Sequence, residues 1–128
     1  MQGKTRNFSS LSNKVIGCAI EVHRHLGPGL LESSYARCCA HEFALANIVF
    51  EKEHPIPVVY KGIKIDCGYR VDFLIENQIV VELKSVSQVL PVHEAQLLTY
   101  MKLAYIKQGF LINFNVKLLK NGLHSYVL

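Results

Sequence analysis

The stretch from residue 69 to residue 84 reads YRVDFLIENQIVVELK. Its apolar residues recur at every second position over 69–75 and again over 79–83, which predicts two β-strands with one face on the main core. The three residues between them, ENQ, suit the loop of a hairpin. The opposite face of this predicted antiparallel pair carries Asp72, Glu82 and Lys84.

The predicted register places Asp72 directly opposite Glu82. Opposed residues of an antiparallel pair lie on the same face, and a three-residue loop aligns these two. Their Cβ atoms would lie about 4.5 to 5.5 Å apart, so both carboxylates could bind one hard cation, Mg²⁺ or Mn²⁺. Lys84, about 6.6 Å farther along its strand, could reach a water molecule or a phosphate at that metal. These are the parts needed for phosphodiester hydrolysis.

A less specific interpretation of this face is that it is simply solvated. Acidic and lysine side chains on a strand usually contact only water, and a short Glu-x-Lys motif is weak evidence by itself. Leu74 and Val80 share the face, however, and they predict that helices partly cover it. Carboxylates in a covered position need a partner.

The rest of the chain predicts one α/β domain with a mixed central β-sheet flanked by helices. Residues 1–10 are assigned to an N-terminal tail and residues 11–128 to the domain. Apolar residues spaced three and four apart predict three helices, at 11–26, 30–46 and 91–105. β-branched and aromatic residues predict further strands, at 48–53, 56–60 and 110–114. The first two of these strands would continue into the 69–83 pair as a meander, and an edge hairpin is expected around Asn121-Gly122.

Composition restricts the class of protein only loosely. The chain has 128 residues, half of them apolar, which is enough to bury a core without a metal or disulfides. It has no run of about 18 to 20 apolar residues and no secretory signal, so a cytoplasmic protein without membrane contact is expected. Four cysteines without a CxxC pair predict reduced thiols. The formal charge of +4 becomes 13 basic against 7 acidic residues once Glu32, Asp72, Glu82 and Lys84 are set aside, which favours a polyanionic partner.

Five motifs carry a resemblance to a known family. They are GLLESSY at 29–35, YRVDF at 69–73, VELK at 81–84, AQLLTY at 95–100 and GFLINF at 109–114. Together they resemble the GxxExxY protein family, a branch of the PD-(D/E)XK nuclease superfamily, over a span from about residue 11 to the end of the chain. The proline that commonly precedes the aspartate in this superfamily is replaced by Val71.

The resemblance implies both a fold and a site. The fold would be a restriction-endonuclease-like core in the order α-β-β-β-α-β. The site would have Asp72, Glu82 and Lys84 as its triad, with Glu32 added from a helix to the metal or its water. Gln96 and Tyr100 match the helical motif that lines such sites.

Residues outside the triad have weaker support from spacing alone. Glu32 and Tyr35 stand three apart and so share a helix face, although a surface glutamate and a core tyrosine would give the same spacing. His93, Gln96 and Tyr100 occupy one helical stripe and could orient phosphate or water. We assign Gln96 and Glu32 with the triad as catalytic, and Tyr35, Tyr100 and His93 as substrate-binding.

The leading functional hypothesis is a Mg²⁺- or Mn²⁺-dependent nuclease, with DNA a better substrate candidate than RNA. The alternative is a nucleic-acid-binding or assembly module that keeps this fold but turns over little. A third hypothesis is a plain interaction protein that pairs through an edge strand or its first helix. A homodimer is expected, because one small site per chain would need two chains to cut both strands of a duplex together.

Overall fold

The computed structural model of the protein describes residues 8–128. It contains three α-helices, namely α1 (Ser10–Leu26), α2 (Glu32–Leu45) and α3 (Pro91–Ala104). Its strands are β1 (Phe50–Pro55), β2 (Val58–Tyr60), β3 (Ile63–Ile65), β4 (Arg70–Ile75), β5 (Ile79–Lys84), β6 (Gln108–Asn113) and β7 (Leu123–Val127). Most of the predicted tail lies outside the described residues, and within them α1 begins at Ser10, where the Ser9 side chain caps it.

Five strands form a mixed sheet in the order β1-β4-β5-β6-β7. Strands β5 and β6 run parallel, and the other neighbours are antiparallel. Parallel neighbours need a crossover connection, and α3 supplies it. The prediction of one α/β domain with a mixed sheet and flanking helices is confirmed, and the architecture is consistent with a restriction-endonuclease-like fold.

Both faces of the sheet are buried. On one face α1 and α2 pack against β4, β5 and β6 through a core that includes Tyr35, Phe43 and Phe73. On the other face α3 packs through a second core that includes Val80 and Met101. A strand covered on both sides is apolar nearly throughout, which explains the run of buried residues in β5. The prediction that helices cover the face of Leu74 and Val80 is confirmed.

The register of the central hairpin also follows the prediction. Phe73 pairs with Val81 and Ile75 with Ile79, around a loop of three residues. Continued by one residue, the same register places Asp72 opposite Glu82.

The predicted meander is wrong at residues 56–60. Strand β1 pairs directly with β4, whereas β2 pairs only with β3 in a separate two-stranded ribbon. Strand β3 was not predicted, because its short IKI sequence gives little periodicity. Pro57 lies between β1 and β2 and has no amide N–H, so it cannot donate to the main ladder.

The tail adds an edge strand, as predicted, but the predicted hairpin turn at Asn121-Gly122 is wrong. Residues Leu119–Asn121 form a short 3-10 turn, and β7 pairs back along β6 as an edge strand. A Cβ built on Gly122 would lie 2.0 Å from the carbonyl oxygen of Asn113. Glycine is needed at this position because the backbone passes so close to β6, and not because the chain makes a hairpin turn there.

Among residues 8–128, none of the helices combines the length and the apolar character that crossing a bilayer requires.

Candidate active site

The carboxylates of Asp72 and Glu82 meet where the pairing between β4 and β5 ends. The last backbone pair of the ladder is Phe73 with Val81. At the next position the backbone N–H of Asp72 donates to the Glu82 carboxylate, with N and Oε1 2.7 Å apart. The backbone N–H of Leu83 donates in turn to Oδ2 of Asp72, also at 2.7 Å. Two side chains therefore replace the strand carbonyls as acceptors, and each carboxylate is held in place by one of its oxygens.

Burial raises the pKa of both acids, and neighbouring carboxylate charges add to the rise. The Glu82 side chain is buried, and its pKa rises to about 8, first because of burial and next because of the Asp72 charge. The pKa of Asp72 is raised mainly by burial, and the charges of Glu32 and Glu53 add to the effect. The donated N–H groups and Lys84 act in the opposite direction on both acids but do not cancel the rise. The effect of burial is therefore larger than that of the groups that stabilise the charged forms.

We expect the protein in EDTA to lose stability as the pH rises. Folding moves the pKa of Glu82 from its ordinary 4.5 to about 8, so the folded state favours the protonated form. The resulting stabilisation is fully present below about pH 4.5 and is lost as the pH passes through about 8. Urea unfolding at a series of pH values measures this loss, and Glu82→Gln should reduce it.

The control for that measurement is Glu76→Gln, which removes an exposed carboxylate from the loop of the same hairpin. It should leave the pH dependence unchanged. Equal pH profiles for the parent and Glu82→Gln would show that the Glu82 carboxyl is not titrating in this window.

Glu32 is brought to the site by the loop that precedes α2. The hydroxyl of the buried Tyr35 donates to the carbonyl of Gly27 and accepts from the N–H of Leu30. Ser85, one residue beyond β5, donates its hydroxyl to the Leu30 carbonyl at 2.6 Å. These bonds fix the loop against the end of β5, and α2 then begins at Glu32. Glu32 and Asp72 line one cavity of about 320 Å³ and are close enough for the Glu32 charge to raise the pKa of Asp72.

Tyr35 itself does not face that cavity. Its ring is fully buried and stacks on Phe114, with ring centroids 4.4 Å apart. Its hydroxyl is occupied by the loop. The structure thus gives Tyr35 a positioning role for the segment that leads to Glu32.

Lys84 is the last residue of β5 and is half-buried. It pairs with Asn113 of β6, and its carbonyl accepts from the N–H of Phe114 at 2.9 Å. Lys84 stands two residues after Glu82 in β5 and so shares its face of the strand. Its charge lowers the pKa of both Asp72 and Glu82.

Helix α3 brings one of its three predicted residues close to the acids. Tyr100 is buried, and the charge of Glu82 contributes to the raised pKa of its phenol, after burial itself. Gln96 is exposed one turn earlier and lines a groove together with Tyr100. His93 lies at the start of the helix, where its Nδ1 accepts from the backbone N–H of Leu90 at 3.0 Å. His93 therefore caps the N-terminus of α3.

Two residues near the site were not predicted. Glu53 lies opposite Asp72 in β1 with φ at +53°, an uncommon conformation for a non-glycine residue and one that often marks functional positions. Nothing in the sequence around it signals this backbone turn. The buried Asn113 clamps the segment after Lys84, because its side chain accepts from the N–H of Val86 and donates to the Val86 carbonyl. A lone amide at the end of the apolar run GFLINF could have indicated it.

The acidic side chains at this site offer the type of ligand atom that a hard divalent cation binds. Asp72, Glu82 and Glu32 offer carboxylate oxygens, the ligands that Mg²⁺ and Mn²⁺ prefer. Burial, with neighbouring negative charge as a smaller cause, raises the pKa of Asp72 and of Glu82. Within the described part of the chain, no three His, Cys, Asp or Glu side chains are already arranged around one point as metal ligands. The predicted convergence of the three acids on one point thus stays a prediction.

Comparison with known proteins identifies the family. A model of the PD-(D/E)XK nuclease superfamily matches residues 9–125, nearly the whole chain. No curated protein and no solved structure gives a significant match. Members of this superfamily are usually nucleases, and they generally use divalent metals such as Mg²⁺. The chain therefore belongs to the PD-(D/E)XK nuclease superfamily.

Proposed function

We propose that the protein is a metal-dependent nuclease that hydrolyses phosphodiester bonds in DNA. The observation that carries this proposal is the reciprocal bridge of Asp72 and Glu82 at the end of the hairpin ladder, with Lys84 two residues farther on. The superfamily match supports a nucleic-acid substrate. All three members of the triad are present, so the chain does not show the loss that would favour a binding module without turnover.

Asp72 and Glu82 are the residues that would hold the cation, with Glu32 as a third ligand. When bound, Mg²⁺ or Mn²⁺ supplies Lewis-acid activation of water and neutralises phosphate charge. Each acid keeps one oxygen on a backbone N–H, which holds the carboxylate in a fixed orientation for a ligand.

Lys84 and α3 supply the remaining groups. The Lys84 ammonium, beside both acids, would orient the attacking water and stabilise the negative charge that develops on the phosphate. Gln96 and Tyr100 would contact the substrate from the helix, Gln96 from its exposed position on the groove. Tyr35 and His93 would act indirectly on substrate binding. Tyr35 fixes the loop before α2, and His93 fixes the start of α3.

Three further assignments belong to the same proposal. The GLLESSY motif at 29–35 supports membership in the GxxExxY family. The others are a homodimer and a location in the cytoplasm.

A cleavage assay tests the proposal directly. Labelled single-stranded and duplex DNA are incubated with the protein in Mg²⁺, in Mn²⁺ and in EDTA. Fragments that form with either metal and disappear in EDTA support the nuclease. Binding without fragments under all conditions would favour the alternative of a module with little turnover, and neither binding nor cleavage would favour an interaction protein.

A further inference from the structure

A groove of about 420 Å³ lies between α3 and the start of the β2–β3 ribbon, on the side of the sheet that α3 covers. Its apolar lining includes Val58, Val92 and the rings of Tyr69 and Tyr100, whose centroids are 5.7 Å apart. Gln96 and Thr99 add polar groups from the helix. This volume is within the range of about 300 to 1,000 Å³ that is typical of pockets for small organic ligands.

The groove adjoins the strand that carries Asp72. Tyr69, which lines the groove, directly precedes β4, and Asp72 is the third residue of that strand. Tyr100, also in the lining, packs in one core with Val71 and Leu74 on either side of Asp72. A ligand in the groove would therefore lie next to the point where a phosphodiester is cut in the proposed function.

One face of the ribbon extends the groove. Val58 pairs with Ile65 and Tyr60 with Ile63, and residues two apart on a strand share a face. The face that contributes Val58 to the groove thus also carries Tyr60 and the two isoleucines. Tyr60 is 58% exposed and Ile63 is 64% exposed. A contiguous apolar and aromatic surface that is open to solvent is typical of interaction sites.

Cations accompany this aromatic surface. The ammonium of Lys61, at the ribbon turn, lies 5.5 Å from the centroid of the Tyr60 ring. Arg70 follows Tyr69 directly and donates to its carbonyl. Lys64 lies on the reverse face of the ribbon. Asp66, the one acid between residues 58 and 70, forms an exposed ion pair with Arg70 at 3.7 Å, so Lys61 and Lys64 are the cations of the ribbon that it does not pair with. Rings interleaved with cations are the pattern by which proteins bind single-stranded nucleic acid.

We propose that the groove and the Tyr60 face of the ribbon bind unpaired bases of a single-stranded nucleic acid, next to the bond that is cut. The proposal rests on the proposed function and names its substrate class. Tyrosine rings and apolar side chains bind the flat faces of bases, which a duplex keeps stacked and hidden. A second copy of the chain is a poorer occupant, because pairing two ribbons would bring their lysines together, whereas phosphates would neutralise them.

Binding of three labelled probes tests the proposal in EDTA, where a metal-dependent nuclease does not cut. The probes are a single-stranded oligo(dT), an abasic oligonucleotide of equal length and charge, and a duplex of the same length. Fluorescence anisotropy should give the tightest binding for oligo(dT). Tyr69→Ala should weaken oligo(dT) binding by about 5- to 150-fold, the range that corresponds to about 1–3 kcal/mol per stacked base, and leave the abasic probe unchanged.

Two variants control for folding and for ring chemistry. Tyr69→Phe keeps the ring and should retain parental binding. Tyr105→Ala removes a tyrosine that is 89% exposed at the end of α3 and outside the groove, and it should have no effect. Lys61→Ala should weaken the oligo(dT) and abasic probes equally, because it removes a phosphate contact.

Other outcomes overturn the inference in distinguishable ways. Equal affinity for oligo(dT) and the abasic probe, with cleavage of DNA in Mg²⁺, would contradict base binding in the groove but not the proposed nuclease activity. No binding to any probe would count against both. A dimer in sedimentation that Tyr60→Ala converts to monomer, without change in oligo(dT) affinity, would assign the surface to contact between copies.

Discussion

Lys84→Ala is expected to lower the DNA cleavage rate by about 100- to 1000-fold, or about 2.7 to 4 kcal/mol of transition-state stabilisation, which is typical of removing one preorganised donor. The affinity for Mg²⁺ or Mn²⁺ should be equal or higher. Lys84 is not an oxygen ligand, and removing its positive charge lowers the repulsion that a cation would meet beside Asp72 and Glu82. The substitution should therefore separate metal binding from chemistry.

The Lys84 side chain can be removed without disturbing the sheet. It is half-buried, and the contacts of this residue with Asn113 and Phe114 are made by the backbone. Lys107→Ala is the matched control, because Lys107 precedes β6 at the opposite end of the sheet. Calorimetric titration with Mn²⁺ beside a cleavage time course gives both quantities, and full activity in Lys84→Ala would remove the proposed mechanism.

Asp72→Asn and Glu82→Gln should abolish both metal binding and cleavage. Each replaces a charged oxygen ligand by a neutral amide in a site that has few ligands, so the metal affinity should fall by more than about 100-fold. The amide oxygen can still accept the N–H of Leu83 or of Asp72, which keeps the bridge between β4 and β5. Burial disfavours the charged forms of both acids, so the neutral amide variants without metal should be at least as stable as the parent at neutral pH.

Asp72→Ala and Glu82→Ala give a useful contrast. They should lose metal binding and activity in the same way, but they also leave a backbone N–H without its acceptor. An unsatisfied buried N–H costs about 1–3 kcal/mol of stability. Thermal unfolding in EDTA should therefore rank each alanine variant below its amide counterpart. Detectable Mn²⁺ binding of parental affinity in either amide variant would show that the carboxylate is not a ligand.

The centre of the fold was predictable because its information is local. Alternation over residues 69–83 and a three-residue loop fixed both the faces and the register of β4 and β5, and both agree with the structure. The helices were predictable for the same reason, since their apolar spacing extends over several turns. The family motifs then related Glu32, more than 30 residues away, to the same site.

What the sequence did not predict depends on contacts between distant segments. The ribbon is separate from the sheet because β1 pairs with β4, and β2 pairs with β3. The local pattern of residues 56–60 predicts a strand but does not predict which strand it pairs with. The φ of +53° at Glu53 arises where β1 passes Asp72. Tyr35 and His93 have the spacing of binding residues, but the partners of their polar atoms are a loop and a helix end. Residue spacing predicts which side chains share a face, but it does not predict which groups their polar atoms bind.

The bridge at the end of the hairpin makes two backbone amides into spectroscopic reporters. The N–H groups of Asp72 and Leu83 each donate to a carboxylate, and the strength of such a bond depends on the charge of its acceptor. Protonation or cation capture at either acid is therefore transmitted to a nitrogen-bound hydrogen in the main chain. A heteronuclear NMR spectrum of the uniformly ¹⁵N-labelled protein could follow the charge state of both acids residue by residue, with no tag, substrate or turnover.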